Sequence, residues 1–164
     1  MTLDVPEDPM ALDSPIREIM VTDVLTFAPG DDVATAMRTL IDRGFNGAPV
    51  VEPSGRIAGM LTATDLIVQG VRIHFPTIVN FLGVNIEIPS LREKHLNADI
   101  EKILGGVVGD VMHTEVVTMP VDGTVQDAAT LMHDEDVSRL PVVDDEWNLQ
   151  GIVTRKDILR ALLA

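Results

Sequence analysis

The chain has 164 residues, 46% of them hydrophobic, and a formal net charge of -14. That length suits one compact domain or two small ones packed together, while so large an excess of acid opposes binding to nucleic acid, whose phosphates are held by clustered Lys and Arg. With no cysteine there are neither disulfides nor thiolate zinc sites, and no basic-then-apolar signal segment opens the chain, so the expected compartment is the cytoplasm.

Residues 1–14, with Asp4, Glu7, Asp8, Asp13 and prolines at 6 and 9, read as a frayed, solvated acidic tail. Residues 15–70 form a first repeat that begins with Ile16, Ile19 and Met20 on one helical face and the short strand Leu25 to Phe27. A helix at about Val33 to Arg43 follows, which Asp31 or Asp32 would cap and Gly44 would close. Strands Pro49 to Val51 and Ile57 to Leu61 flank the turn Glu52-Pro53-Ser54-Gly55, and a helix from about Thr64 to Val71 ends the unit.

The connector, residues 71–106, exceeds most loops in compact domains and is expected to carry helices of its own. Arg72 to Leu82 reads as an apolar helix, and Asp99 to Leu104 as an amphipathic one stopped by Gly105 and Gly106. Phe75, Ile78, Val79, Phe81 and Leu82 are more than one short helix buries, so the segment packs either against a second subunit of a homodimer or against its own chain. The longest apolar stretch, Ile73 to Ile88, is broken by His74, Pro76, Asn80, Gly83, Asn85 and Glu87, whereas a membrane span needs ~20 largely apolar residues. No membrane crossing is expected.

Residues 107–164 then run through the first series again: helix Val107 to Met112, strand Val116 to Met119, helix Val125 to Asp134, strands Pro141 to Val143 and Leu149 to Val153, helix Lys156 to Leu163. The register is kept residue by residue. Gly-x-x-Thr-x-x-Asp occurs as Gly59, Thr62, Asp65 and as Gly151, Thr154, Asp157, each member displaced by 92 positions. Met20 matches Met112, Thr22 matches Thr114, Val24 matches Val116 and Pro49 matches Pro141 at the same offset. Such a repeat implies an α+β fold of two pseudo-symmetric subdomains with paired clefts.

Each Thr-x-x-Asp has the spacing of a capping box, in which Thr caps a helix and the acid reaches back to the cap. An Asp in a first helical turn, beside a hydroxyl and free N–H groups, also suits a vicinal diol with a nearby anion, which is the chemistry of ribose and phosphate. Both readings fit the residues.

With Ile19-Met20 and Val111-Met112, Ala48-Pro49-Val50-Val51 and Arg139-Leu140-Pro141-Val142-Val143, and the two motif ends, the chain resembles the tandem cystathionine-beta-synthase (CBS) domain pair. The resemblance implies two small sheets with flanking helices packed as one disc, with clefts that commonly take adenine nucleotides. It implies that Asp65 with Thr62, and Asp157 with Thr154, hold ribose, and that Val24, Ala48, Pro49, Val116, Leu140 and Pro141 line base pockets. At the positions that face phosphate in similar proteins, the second repeat has Ser138, Arg139 and Lys156 where the first has Asn46, Gly47 and Thr64. Phosphates in this family point toward the centre, so the ligand on Asp65 is expected to meet Arg139 and Lys156 and to be AMP, ADP or ATP. The Asp157 cleft is then expected to take an uncharged adenosyl compound, to bind weakly, or to stay empty.

The expected role is a stand-alone regulatory module that signals nucleotide occupancy to an effector protein. The alternatives are a ligand-free oligomerisation scaffold and a sensor of S-adenosylmethionine; whether Mg2+ accompanies a nucleotide stays open. No enzyme is expected. His74, His95, His113 and His133 never fall at i,i+4, the runs Asp134-Glu135-Asp136 and Asp144-Asp145-Glu146 lack the remainder of a calcium loop, and no nucleophile elbow or P-loop occurs. Trp147 falls where the first repeat's hairpin turn has Gly55.

Overall fold

The computed structural model describes residues 10–63, 79–81, 84–86 and 101–163. In chain order the elements are α1 (Met10–Asp13), a 3-10 turn (Ile16–Glu18), α2 (Val33–Arg43), β1 (Gly47–Val51), β2 (Ile57–Thr62), β3 (Val79–Phe81) and β4 (Val84–Ile86). There follow α3 (residues 101–104), α4 (Val108–Val111), β5 (Met119–Pro120), α5 (Val125–Asp134), β6 (Arg139–Val143), β7 (Leu149–Thr154) and α6 (Arg155–Leu162). The expected helix Thr64 to Val71, residues 1–9 of the tail and residues 72–78 of the connector lie outside the described residues.

The chain divides into two compact units. One comprises Met1–Val24, Ser54–Ile57 and Val116–Ala164; the other comprises Leu25–Pro53 and Ala58–Glu115. Neither unit is one sequence repeat, because the segment leading each repeat folds with the body of the other.

In the unit holding the first repeat's body, α2 forms because Val33, Ala36, Met37 and Leu40 recur at helical spacing and all are buried. Its ends are closed by side-chain and backbone chemistry. Asp32 Oδ2 accepts the Thr35 N–H at 2.8 Å, and Gly44 takes the left-handed conformation at φ 66°. The helix packs on β1 and β2 through Ala48, Val50 and Leu61, and Val108 and Val111 of α4 complete the same core. Phe27 extends the sheet by a parallel bridge to Val50, and His113 extends it by an antiparallel bridge to Met60.

The other unit repeats this plan. Here β5, β6 and β7 form a sheet, with β5 parallel and β7 antiparallel to β6, and Val21 bridges Ile152. Helix α5 buries Val125, Ala128 and Met132 against it and starts at a capping box of Thr124 and Asp127. Ile16 from the first repeat is wholly buried in this core.

Several expectations are corrected. Of Leu25 to Phe27 only Phe27 pairs, and the expected strand Val116 to Met119 is reduced to Met119–Pro120, where proline lacks the N–H to continue a ladder. The expected helical face of Ile16, Ile19 and Met20 is not an α-helix: only Ile16–Glu18 is helical, as a 3-10 turn capped by Ile19. The tail is not wholly frayed, since Met10–Asp13 is helical and Leu12 packs against the second repeat's core. Within the connector, Val79–Phe81 is a strand paired antiparallel with Val84–Ile86, not part of a helix, in keeping with the extended preference of Val, Phe and Ile. Residues 101–104 are helical as expected.

Candidate functional site

The second Thr-x-x-Asp lies where β7 turns into α6. Thr154 is the N-cap: its hydroxyl donates to Asp157 Oδ2 at 2.6 Å, and the same oxygen accepts the Thr154 N–H at 2.9 Å. The Asp157 N–H in turn reaches Thr154 Oγ1 at 3.4 Å. Asp157 keeps Oδ1 for other partners, and Arg160 Nη1 lies 3.7 Å from it. Its side chain is 12% exposed.

This box alone does not mark a ligand site. Thr124 and Asp127 make the same three hydrogen bonds, at 2.8, 2.9 and 3.2 Å, at the start of α5. What sets the 154–157 box apart is its neighbour. In the β6–β7 ladder Arg139 stands directly opposite Thr154, and cross-strand partners share a face of the sheet. Arg139 is half-buried, and burial pulls its guanidinium below the ordinary arginine value, a desolvation that an anion alongside would offset.

Ser138 is exposed and its carbonyl accepts the Arg155 N–H at 3.1 Å, which keeps the start of β6 beside the start of α6. Lys156 is exposed in the first turn of α6. Val24 and Val116 are half-buried and belong to this same unit, while Leu140 and Pro141 are buried on β6. Leu140 forms part of the core.

In the first repeat's unit, Thr62 ends β2 and is half-buried, Ala48 and Pro49 are buried on β1, and Ala48 belongs to the core. Asn46 is exposed, and its carbonyl accepts the Ala63 N–H at 2.9 Å. Thr64 and Asp65 lie outside the described residues.

The glycine that opens each motif has a role that the capping reading does not require. A Cβ on Gly151 would lie 2.8 Å from Met20 Sδ and 2.9 Å from the Val21 carbonyl oxygen. One on Gly59 would lie 2.8 Å from Met112 Sδ and 2.6 Å from the His113 oxygen. Met20, Val21, Met112 and His113 are therefore neighbours of the motif strands that motif reading misses. For Met20 and Met112 a signal is present, because a capping box needs no glycine before its Thr and the two methionines hold the same register. Another missed pairing is that of Asp136 with Arg155, whose Nη2 lies 3.6 Å from Oδ1.

Among the described residues no group of three or more His, Asp or Glu side chains is placed to hold a metal ion, and no helix is long and apolar enough to cross a membrane.

The CBS domain family model matches residues 16–70 and 108–164. An uncharacterized protein of Methanocaldococcus jannaschii is 30% identical over 154 residues, which cover 90% of both chains. The inosine-5'-monophosphate dehydrogenase of the same organism is 29% identical over 143 residues, covering 87% of this chain but 22% of that enzyme. The crystal structure of CBSX2 of Arabidopsis thaliana in complex with AMP superposes with a TM-score of 0.67 at 25% identity, covering 91% of this chain and 96% of that one.

Proposed function

Since the chain belongs to the CBS domain family through both of its repeats, we propose that it is a cytoplasmic regulatory module that binds adenine nucleotides and signals their occupancy to an effector protein. AMP bound to CBSX2, which matches this chain almost end to end, carries this reading. The arrangement around Thr154 supports it on physical grounds.

A ribose diol donates hydrogen bonds, and Asp157 Oδ1 is the carboxylate oxygen outside the Thr154 box, so sugar hydroxyls would compete there with Arg160. Arg139, opposite Thr154, presents a planar fork that matches a phosphate bidentately, and Lys156 adds a point charge at the positive end of α6. The resemblance gives the phosphate-facing cations Arg139 and Lys156 to the nucleotide whose ribose Asp65 and Thr62 hold, so in this reading that second ribose site is the one that prefers the charged nucleotides AMP, ADP and ATP.

Calorimetric titration of Asp65→Ala and Asp157→Ala with AMP tests the assignment. Loss of affinity in Asp65→Ala with smaller change in Asp157→Ala is expected; the opposite result reverses the two sites. A specific observation favours a scaffold instead: Asp157 is folded onto its own cap as fully as Asp127 is. Thermal melts separate the two readings, because a ligand that binds only the native state at one hundred times its Kd adds ~2.7 kcal/mol. An unchanged Tm with AMP, ADP, ATP and S-adenosylmethionine leaves the scaffold.

A further inference from the structure

Helices α2 and α5 end in the same backbone motif. The Phe45 N–H donates to the Leu40 oxygen at 2.9 Å and the Gly44 N–H to the Ile41 oxygen at 3.0 Å. At the matching places of the second repeat, the Val137 N–H donates to the Met132 oxygen at 3.1 Å and the Asp136 N–H to the His133 oxygen at 3.3 Å. Each pair of bonds turns on a left-handed residue, Gly44 at φ 66° in one unit and Asp136 at φ 50° in the other. Glycine takes that conformation at no steric cost, whereas a Cβ is crowded there. What Asp136 supplies in exchange is a carboxylate. Its Oδ1 lies 3.6 Å from Nη2 of Arg155, and the same nitrogen lies 3.5 Å from the Met132 oxygen in the last turn of α5.

Arg155 also donates its own N–H to the Ser138 oxygen at 3.1 Å, so it touches the end of α5, the left-handed residue after it and the residue just before β6. Those three points bracket the turn that leads to Arg139. The first repeat keeps only the backbone part of this arrangement, with the Ala63 N–H on the Asn46 oxygen at 2.9 Å. Gly44, Ala63 and Gly47 stand there where the second repeat has Asp136, Arg155 and Arg139. The side-chain brace occurs in the repeat that has a cation to hold.

We propose that Arg155, braced by Asp136, is a positioning residue for Arg139 and so sets the preference for phosphate-bearing over uncharged adenosyl ligands. The inference rests on the reading of Arg139 as the phosphate receptor. Arg155 acts without touching the ligand, its charge being directed at Asp136 and at the C-terminal carbonyls of α5, where a cation is favoured. A bidentate grip on phosphate depends on the orientation of the guanidinium plane. A turn with fewer anchors spreads that plane over more orientations and weakens the grip, while a ligand without phosphate loses nothing.

Charge and position predict opposite signs at Asp136. Removing an acid raises the affinity for an anion where charge alone counts, and lowers it where the acid's task is to hold Arg155. Asp136→Asn, whose side chain tolerates the left-handed backbone, and Arg155→Ala are titrated calorimetrically with AMP and with adenosine, each alone and combined with Arg139→Ala. Each single variant is expected to lose about two- to fivefold in AMP affinity, the range that an exposed ion pair supports, with adenosine affinity unchanged. In the Arg139→Ala background that loss is expected to vanish, as it must if Arg155 works through Arg139. Unchanged or raised AMP affinity in Asp136→Asn, equal losses for AMP and adenosine, or losses that persist without Arg139 overturn the positioning role and leave the nucleotide reading standing. If Arg139→Ala alone binds AMP as the unaltered protein does, or the unaltered protein does not bind AMP, the reading beneath it fails as well.

Discussion

Trp147 and Gly55 hold the same place in the two hairpin turns, and both backbones are left-handed, at φ 67° and 93°. The turns are tied together, the Ile57 N–H donating to the Trp147 oxygen at 3.0 Å and the Leu149 N–H to the Gly55 oxygen at 3.1 Å. A left-handed residue with a Cβ costs about 1–2 kcal/mol, against which glycine loses about 0.5–1 kcal/mol more chain entropy on folding. Trp147 is 48% exposed and contributes only part of its area to packing.

Trp147→Gly is therefore expected to gain about 0.5–1 kcal/mol, which in a chain of this size raises Tm by about 1–4 °C. Gly55→Ala should do the reverse. A Cβ there meets only Asn148 Oδ1 at 3.6 Å, an ordinary contact, so its cost of about 1 kcal/mol comes from the backbone. Urea titrations of both variants decide it, and a stabilised Gly55→Ala would contradict the turn geometry.

The motif glycines obey a different rule. At Gly59 and Gly151 the obstruction to a Cβ includes a carbonyl oxygen, at 2.6 and 2.9 Å, which cannot swing aside as a side chain can. Gly59→Ala and Gly151→Ala are expected to lose about 1–3 kcal/mol each, Gly59→Ala the more. Gly30→Ala is the control, because nothing lies within 4 Å of its Cβ position. That substitution should be neutral or stabilise by about 0.4–1 kcal/mol through the unfolded chain. Denaturation midpoints for the three variants should fall in that order.

What the sequence shows of this fold is what local chemistry encodes. Helix Val33–Arg43 is legible to the residue because Asp32 and Gly44 mark its ends and Val33, Ala36, Met37 and Leu40 mark its face. Helix Val125–Asp134 is legible from its buried face of Val125, Ala128 and Met132, although no glycine marks its end at Glu135. The partners of strand edges are not, since neither Val21 nor His113 carries a local signal that it will bond Ile152 or Met60. Leu12 likewise reads as tail until the core it joins is assembled. Of the candidate site, the Thr154–Asp157 box follows from spacing alone, whereas the register that sets Arg139 opposite Thr154 depends on how two strands pair.

Acid stability should report on three carboxylates. Hydrogen bonds from Asn148, first from its side chain, hold Asp144 below the ordinary carboxylate value, with Glu146 and Gln150 adding to the effect. The side-chain hydrogen bond with Thr35 does the same for Asp32, and the backbone and side-chain bonds from Thr124 do so for Asp127. A depressed folded pKa stabilises fully above the unfolded value, 3.8, and that stability is lost as pH falls below it through the folded value. Stability is thus expected to be flat with respect to these groups near neutrality and to fall below about pH 4. Asp144→Asn and Asp127→Asn should each make the acid limb shallower in a series of urea titrations across that range, and a limb left unchanged would show that the bonds contribute nothing to folding.

Arg139 and Thr154 give the most direct test of whether the second repeat's cation serves an anion. If the guanidinium meets phosphate, Arg139→Ala removes a charge-assisted hydrogen bond of about 1.5–3 kcal/mol, so AMP affinity falls about tenfold or more. Adenosine, which lacks the phosphate, should bind the variant and the unaltered protein alike. Arg139→Lys keeps the charge but not the planar fork, and its affinity for AMP should lie between the two. Added salt should weaken AMP binding to the unaltered protein more than to Arg139→Ala, because the variant has one charge fewer to screen. Equal losses for AMP and adenosine would instead mean that Arg139 shapes the start of β6 beside Thr154, with no contact to the ligand's phosphate.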